Sequence, residues 1–346
     1  MTTDGARDLD RREFLVASAL GAPALAASAA TMGPQRSPET LVSHFYDSLS
    51  ARQRETVVLP FDSPLRSRVE NNWHITDARV GRFFNRDQQA LIHDIFVDLH
   101  APEFHESLGR HIVDDFGSVN NLSVALFGEP NSGKFEFVIT GRHCTARCDG
   151  DSVEGAAFGG PIFYGHEGES FYERPTHPNN VYWFQAKKAN KVFQALDGRQ
   201  RSLALQPRAP RERSVYTVEP SPNPDGLPVR DMSPDQRDLV SGTLEALLSP
   251  FRESDRNEAM KLLDQAGGVD NLTMAFYENE DLGNDGVWDV WKLESPTMVW
   301  YFRGSPHVHV WVNVQENPGW RAPEGATRRG LFGRRGRRAR QSRASA

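Results

Sequence analysis

The chain has 346 residues, of which 38% are hydrophobic and 25% are charged, so it can bury the core of one large or two modest domains. The net charge of −6 is unevenly distributed, because residues 321–346 carry nine arginines and one glutamate while residues 31–320 carry a net −13. A body this acidic repels phosphate groups, which argues against DNA or RNA as a partner of the folded part.

The N-terminal segment has the pattern of an export signal. Arg11 and Arg12 are followed, after Glu13, by an uncharged run that reaches Ala30 and ends in small residues suited to cleavage. The run is too short to span a bilayer as a helix. Residues 1–30 therefore predict twin-arginine export to the periplasm or the cell exterior. The alternative is a chance arginine pair before a core helix. No other long apolar run occurs, so we expect no transmembrane span.

The chain contains an internal repeat. Three pairs of similar segments recur in the same order at offsets of 147, 148 and 150 residues: 48–54 with 195–201, 85–92 with 233–240, and 117–129 with 267–279. Three collinear pairs are hard to produce by accident. They indicate two tandem copies, residues 38–175 and 182–315.

Each copy is predicted to begin with helices and to end with a β-meander. Caps such as Ser37-Pro38 and Ser233-Pro234 start segments of helical period, and later segments alternate with period two. The predicted helices are 38–50, 86–99, 103–115, 181–196, 234–248 and 251–265. The predicted strands are 121–128, 134–141, 143–150, 271–278, 286–294, 297–304 and 307–314. This pattern indicates an α+β fold with two copies related by a pseudo-two-fold axis. Helices would cover one sheet face and leave the other available.

Two cysteines lie on one predicted strand. Four steps of about 3.3 Å separate Cys144 from Cys148, which is too far for a disulfide. We expect two free thiols, most simply as buried structural residues.

Three histidines form the main candidate site. His307 and His309 are two residues apart on a predicted strand, so both side chains lie on one face and could chelate one ion. Aligning residues 141–150 with 304–313 places His143 at the start of the equivalent strand. A pseudo-two-fold seam would then bring the three imidazoles together, where they suit Zn, Cu or Fe. A half-exposed histidine-bearing face and a metal-free ligand pocket stay open as alternatives.

Two further residues could complete the ligand shell. His166 lies in a predicted long loop rich in glutamate and aromatic residues, and Glu129 ends the first strand of the first copy. The simpler interpretations are a connector between the copies and a solvated carboxylate.

Motifs of the common enzyme classes are missing from the sequence. It has no Gly-x-Ser-x-Gly, P-loop, His-Glu-x-x-His or Rossmann glycine pattern. An enzyme of this sequence would be a metal-dependent oxidoreductase or hydrolase acting on a small molecule. The alternative is a non-enzymatic envelope protein that binds a ligand or partner.

The C-terminal residues 321–346 are rich in Arg, Gly, Ser and Ala and have little to bury, so we expect a disordered tail. Outside the cytoplasm this basic tail could contact anionic envelope surfaces or the acidic body. It could also be merely solvated.

Several motifs resemble a known family. These are "ALFGEP" at 125–130, "GRHCTARCDG" at 141–150, "GGPIFYGH" at 159–166, and the helix starts "NRDQQALI" and "SPDQRDLV". Together they resemble the bacterial proteins grouped as domain of unknown function 3500, over roughly residues 40–315. The resemblance implies the fold and export, but no activity. The sequence has Arg142 where the family usually has the first of two adjacent histidines.

Overall fold

A layer of helices and a β-sheet make up the protein, as a computed structural model shows for residues 37–168, 180–212, 224–279, 281 and 287–317. The helices in these residues are α1 (Pro38–Ser48), α2 (Ala51–Val57), α3 (Val80–Phe83), α4 (Arg86–Asp98), α5 (His105–His111), α6 (Trp183–Ala195), α7 (Gly198–Ala204), α8 (Pro234–Leu248) and α9 (Glu253–Gln265). The strands are β1 (Val58–Leu59), β2 (Ser123–Gly128), β3 (Phe135–Gly141), β4 (Cys144–Cys148), β5 (Ile162–His166), β6 (Leu205–Gln206), β7 (Leu227–Pro228), β8 (Thr273–Tyr277), β9 (Val290–Ser295), β10 (Met298–Arg303) and β11 (Val308–Val314).

Side-chain caps fix where the predicted helices begin. Ser233 and Gln236 form a reciprocal capping box at the start of α8, and Asn85 and Gln88 form another at the start of α4. The helices predicted over 86–99 and 234–248 are therefore confirmed. The helix predicted over 103–115 is split, because α5 continues as a π-helical turn over Ile112–Phe116.

The strands of the described residues form one continuous sheet. Its order is β1-β2-β3-β4-β5-β11-β10-β9-β8-β6, with β7 paired to β8. Most neighbours are antiparallel, as predicted, but the short strands β1 and β6 run parallel to β2 and β8. The predicted strand 286–294 begins at Val290, and residue 286 lies outside the described residues.

Strand β5 occupies the centre of this sheet, whereas the sequence was interpreted as a turn and loop there. It pairs with β4 on one side and with β11 on the other, where Val308 is opposite His166. The strand is only five residues long, between a Gly-Gly-Pro turn and a polar segment, so its periodicity is too brief to detect. β5 therefore joins the first part of the chain to the second.

The two sheet faces bury different material. Alternate residues such as Phe137, Tyr164 and Val310 point to the helices and form the main core. The opposite face was expected to stay available, but in the first half residues 61–75 cover it, with Trp73 and Ile75 against Val138. In this half of the sheet, residues before α3 rather than a helix bury the second face.

A buried ion pair ties this covering segment to the sheet. Arg147 on β4 pairs with Glu136 on β3 at 2.6 Å, and neither side chain is exposed. Arg147 also donates to the carbonyl oxygen of Arg68 at 2.7 Å. Burial of this charge is therefore compensated by a carboxylate and by backbone carbonyls. The arrangement holds the segment before residue 71 beside the turn that carries His143.

Other expectations concern residues at the ends of the chain and the cysteines. Cys144 and Cys148 are both buried and free, as predicted. The proposed signal, residues 1–30, and the basic tail, residues 321–346, lie outside the described residues. Within the residues that are described, no helix combines the length and apolar character needed to cross a bilayer.

Candidate metal centre

Strand β11 carries one half of the candidate centre. His309 lies on the strand with Trp311 on the same face, while Val308 and Val310 point to the helices. His307 immediately precedes the strand. The Nε2 atoms of His307 and His309 are 3.0 Å apart, so the spacing of two residues does bring these rings together.

His143 reaches the same point from a two-residue turn between β3 and β4. It has a left-handed backbone conformation, with φ of 51°, which costs a non-glycine residue about 1 kcal/mol or more. Its backbone N–H donates to Asn71 O at 2.8 Å, which helps to hold this geometry.

A glycine gives the His143 ring its route across β5. Gly165 is opposite His309 in the β5–β11 register. A Cβ atom at Gly165 would lie 2.5 Å from Val308 O and 3.3 Å from the imidazole carbons of His143. The missing side chain therefore lets the His143 ring lie over the strand. β11 adjoins β5 rather than β4, so the three rings converge across β5 and not through a direct contact of β4 with β11.

The three imidazoles form one compact, buried group. His309 Nε2 is 3.1 Å from His143 Nε2, and one ligand atom from each ring can be chosen so that all lie within 4.8 Å of one another. Two nitrogens bound to a tetrahedral metal at about 2.0–2.1 Å would be roughly 3.3 Å apart. The distances from His309 Nε2 to His307 Nε2 and to His143 Nε2 differ from this by only a few tenths of an ångström, and the ligand atoms of His143 and His307 lie within 4.8 Å of each other. The group could hold a metal ion through three nitrogens.

Asp115 supports His143 from behind. His143 Nδ1 donates to Asp115 Oδ1 at 2.5 Å, and the backbone N–H of Glu167 donates to the same oxygen at 3.0 Å. Burial alone would raise the pKa of Asp115, but hydrogen bonds from His143 and His166 outweigh it and hold the pKa well below its usual range. Asp115 is therefore a buried carboxylate anion that fixes the proton of His143 on Nδ1.

Glu212 supports His309 in the same way. His309 Nδ1 donates to Glu212 Oε1 at 2.6 Å, Trp311 Nε1 donates to that oxygen at 3.1 Å, and Arg303 pairs with the other oxygen at 3.0 Å. Burial opposes ionisation of Glu212, yet the His309 hydrogen bond lowers its pKa to about 2. Burial lowers the pKa of His309 to about 3, so this ring is neutral at pH 7.

These carboxylates determine where the lone pairs point. A carboxylate only accepts hydrogen bonds, so Nδ1 of His143 and of His309 must carry the proton. When the rings are neutral, their Nε2 lone pairs face each other in a buried space. His307 adds its Nε2 to this group, and its Nδ1 lies 4.0 Å from Glu167 Oε2. Histidines that ligate metals commonly donate their second nitrogen to a carboxylate in this manner.

The structure does not bring the other two predicted residues into this group. His166 is the last residue of β5 rather than part of a loop, and its Nδ1 donates to Asp115 Oδ2 at 2.8 Å. It therefore lies behind His143, as another partner of Asp115. Glu129 is exposed and accepts from Ser132 Oγ at 3.1 Å. His177 lies outside the described residues.

Sequence reasoning missed the carboxylates that orient the rings. Asp115 lies on the π-helical turn after α5, and Glu212 lies 97 residues before His309 along the chain. Glu167 follows His166 and stood out only as one of several acidic neighbours. Nothing in spacing distinguishes these three from surface acids. Only the convergence of distant elements identifies them.

The same motifs that surround the site identify the family. The family model described as "Protein of unknown function (DUF3500)" matches residues 34–314, which is most of the chain. The chain belongs to this family. The matched range includes the three histidines of the candidate centre and the carboxylates Asp115 and Glu212. No curated protein matches the chain. No solved structure matches it either.

Proposed function

We propose that this DUF3500 protein binds one transition-metal ion through Nε2 of His143, His307 and His309. One observation carries the proposal. Three buried Nε2 atoms converge while carboxylates hold the protons of two of these rings on the opposite nitrogen. Lone pairs that face each other about 3 Å apart repel unless a cation lies between them. A metal ion relieves this repulsion and uses the nitrogen donors that the site offers.

The donor set favours a metal that prefers imidazole. Three neutral nitrogens with no thiolate and no carboxylate in the first shell suit Zn, Cu or Fe rather than Ca or Mg, which prefer oxygen ligands. Asp115 and Glu212 bring negative charge close to the ion without binding it. Such outer carboxylates increase the basicity of the ligands and fix their orientation.

Three protein ligands leave a coordination position for water or substrate. Catalytic zinc sites typically have this composition, whereas structural sites use four protein ligands. We therefore favour an enzyme that carries out metal-assisted hydrolysis or oxidation of a small molecule. The metal would polarise the substrate or activate a bound water, and the histidines would hold it in place.

The burial of the rings favours a second candidate, a non-enzymatic role. Each ring is 5–6% exposed, and the ligands come from the two halves of the sheet. A metal here could join the halves of an envelope ligand-binding protein without doing chemistry. The two candidates differ in whether exogenous anions or substrates reach the ion.

Metal titration of the purified protein tests the proposal directly. We expect elemental analysis to find about one transition-metal ion per chain. Readdition to chelated protein should raise the melting temperature, since a ligand at about 1,000 times its Kd stabilises by about 4 kcal/mol. A protein that stays metal-free, and whose melting temperature does not respond to Zn, Cu or Fe, would contradict the site. Azide-induced spectral changes of the Cu form would show an open position, as the enzyme requires.

We also propose export by the twin-arginine route. The support is Arg11-Arg12 before the uncharged run of residues 14–30. Replacing both arginines with lysine should leave the full-length precursor in the cytoplasm, as fractionation would show. Unchanged processing and export of the variant would contradict the proposal.

We infer further that the chain arose by tandem duplication. Besides the repeated segments, Gln53 donates to Gln88 at 2.8 Å and Gln200 donates to Gln236 at 2.9 Å, and these pairs are offset by 147 and 148 residues. The strand order outward from the β5–β11 pair also matches on both sides. Related sequences should carry both glutamine pairs together. Families of sequences in which only one half has them would count against duplication.

A further inference from the structure

A basic cavity of about 550 Å³ opens beside the candidate metal centre. Its walls come from the turn after β3, from α3 with the residues just before it, and from the segment that leads into β2. Three arginines line it, Arg79, Arg82 and Arg142, together with the side chains of Asn120 and Asn121. None of the carboxylates in the described part of the chain contributes to this lining. The size is that of pockets that hold small organic molecules.

Two of these guanidinium groups form no close ion pair among the described residues. Arg142 pairs with Glu167, whereas Arg79 contacts the His74 ring and donates to Asn121 O at 3.2 Å, and Arg82 is exposed. Burial lowers the pKa of Arg79 and the neighbouring charge of Arg82 lowers it further, while the carboxylate of Asp77 opposes this shift. Burial of His74 and the charge of Arg79 lower the pKa of His74 to about 4, so the His74 ring stays neutral. Residues 31–320 carry a net charge of −13, so positive charge concentrated here is unusual for this protein.

The lining of the cavity is partly apolar. Phe116 and Leu122 belong to the buried core, and of the two only Phe116, which is 8% exposed, presents surface to the cavity. Gly81 lets α3 lie close to Asn120, because a Cβ atom there would be 2.8 Å from Asn120 Cβ. The cavity therefore combines cationic donors with a small apolar surface.

We propose that this cavity binds a small organic anion, whose carboxylate or phosphate group is held by Arg79 and Arg82 and whose apolar part lies against Phe116. Guanidinium groups suit this task because their paired N–H donors match the geometry of both oxyanions. The binding of the anion does not depend on a metal. It extends the proposed function, since it assigns a ligand class to a site separate from the three histidines.

The cavity adjoins the metal centre through shared residues. Arg142 lines the cavity and also pairs with Glu167, and its Nη1 donates to Asp115 O at 3.4 Å. Asp115 in turn accepts from His143, and Phe116 is its neighbour along the chain. An anion in the cavity would therefore be separated by one residue, Arg142, from Asp115 and Glu167.

Calorimetric titration of the full chain with benzoate and with phenyl phosphate tests the proposal. We expect at least one anion to bind, and the two probes distinguish a carboxylate ligand from a phosphate ligand. Benzylamine, which has the same ring with a cationic group, should not bind. Arg79→Gln and Arg82→Gln should each weaken binding about ten-fold, because each removes a charge-assisted hydrogen bond. The matched control is Arg52→Gln, because Arg52 is exposed and lies on α2, away from the cavity.

The titrations are run on chelated and on metal-loaded protein, and circular dichroism confirms that each variant is folded. Equal anion affinity in both forms, together with loss in the arginine variants, supports the cavity. If anion binding is lost when the metal is removed but is unchanged in the arginine variants, the anion binds to the metal. The cavity proposal then fails while the metal site stands. Failure of both anions to bind wild-type protein at millimolar concentration, or equal binding of benzylamine, also overturns it.

Discussion

The His307→Ala/His309→Ala double variant is expected to purify without metal, whereas the wild-type chain carries about one ion. The substitution removes two of the three nitrogens that would bind the ion, and the remaining His143 cannot hold an ion alone. We expect the loss of affinity to exceed the 10- to 100-fold effect that is typical of outer-shell changes. Elemental analysis and competition with a chromogenic chelator measure the effect.

The control for this experiment is His93→Ala. His93 lies on α4 with its side chain 55% exposed, so its removal changes the histidine count without touching the centre. The melting temperatures of the metal-free proteins are compared as well, because truncation leaves Glu212 without His309. A double variant that retains one metal ion per chain would show that the metal binds elsewhere.

Asp115→Asn is expected to have the second largest effect, although Asp115 does not contact the metal. The amide has one acceptor oxygen in place of the two that serve His143 and His166. It also removes the negative charge beside these rings. We expect the metal affinity to fall about 10- to 100-fold. The free energy of unfolding of the metal-free protein should fall by about 1–3 kcal/mol, because a buried N–H donor loses its acceptor. Chelator competition and urea unfolding measure the two effects separately.

Asp114→Asn provides a matched control one residue away. Asp114 is 26% exposed on the same π-helical turn, and its nearest contact is a 3.8 Å approach to His166 Nε2. The losses of metal affinity and of stability should both be much smaller in Asp114→Asn than in Asp115→Asn. If the two variants behave alike, Asp115 does not orient His143 and the outer-shell interpretation fails.

Local features of the fold were accessible from the sequence. The capping residues at Ser233 and Asn85 predict where α8 and α4 begin, because a cap is a contact between residues three apart. Alternation predicts β11 and places His307 with His309. The separation of Cys144 from Cys148 on one strand predicts their free thiols. Each of these inferences depends on neighbours along the chain.

Features that depend on sheet order were not accessible. β5 is too short to show a period, yet it lies between β4 and β11 at the centre of the sheet. The parallel pairing of β1 with β2 and of β6 with β8 depends on the path of the helices before β1 and β6. The covering of the second face by residues 61–75 follows from unsatisfied apolar area, which is a property of the whole sheet.

The sequence by itself determined the α+β class, the helix starts, the free cysteines and the shared face of His307 and His309. The tertiary structure alone decided that His143 crosses Gly165 to meet them and that Asp115 and Glu212 stand behind the rings. The physical reason is range. Backbone periodicity and capping act over a few residues, whereas a metal centre requires lone pairs and charges from distant segments to meet within a few ångströms.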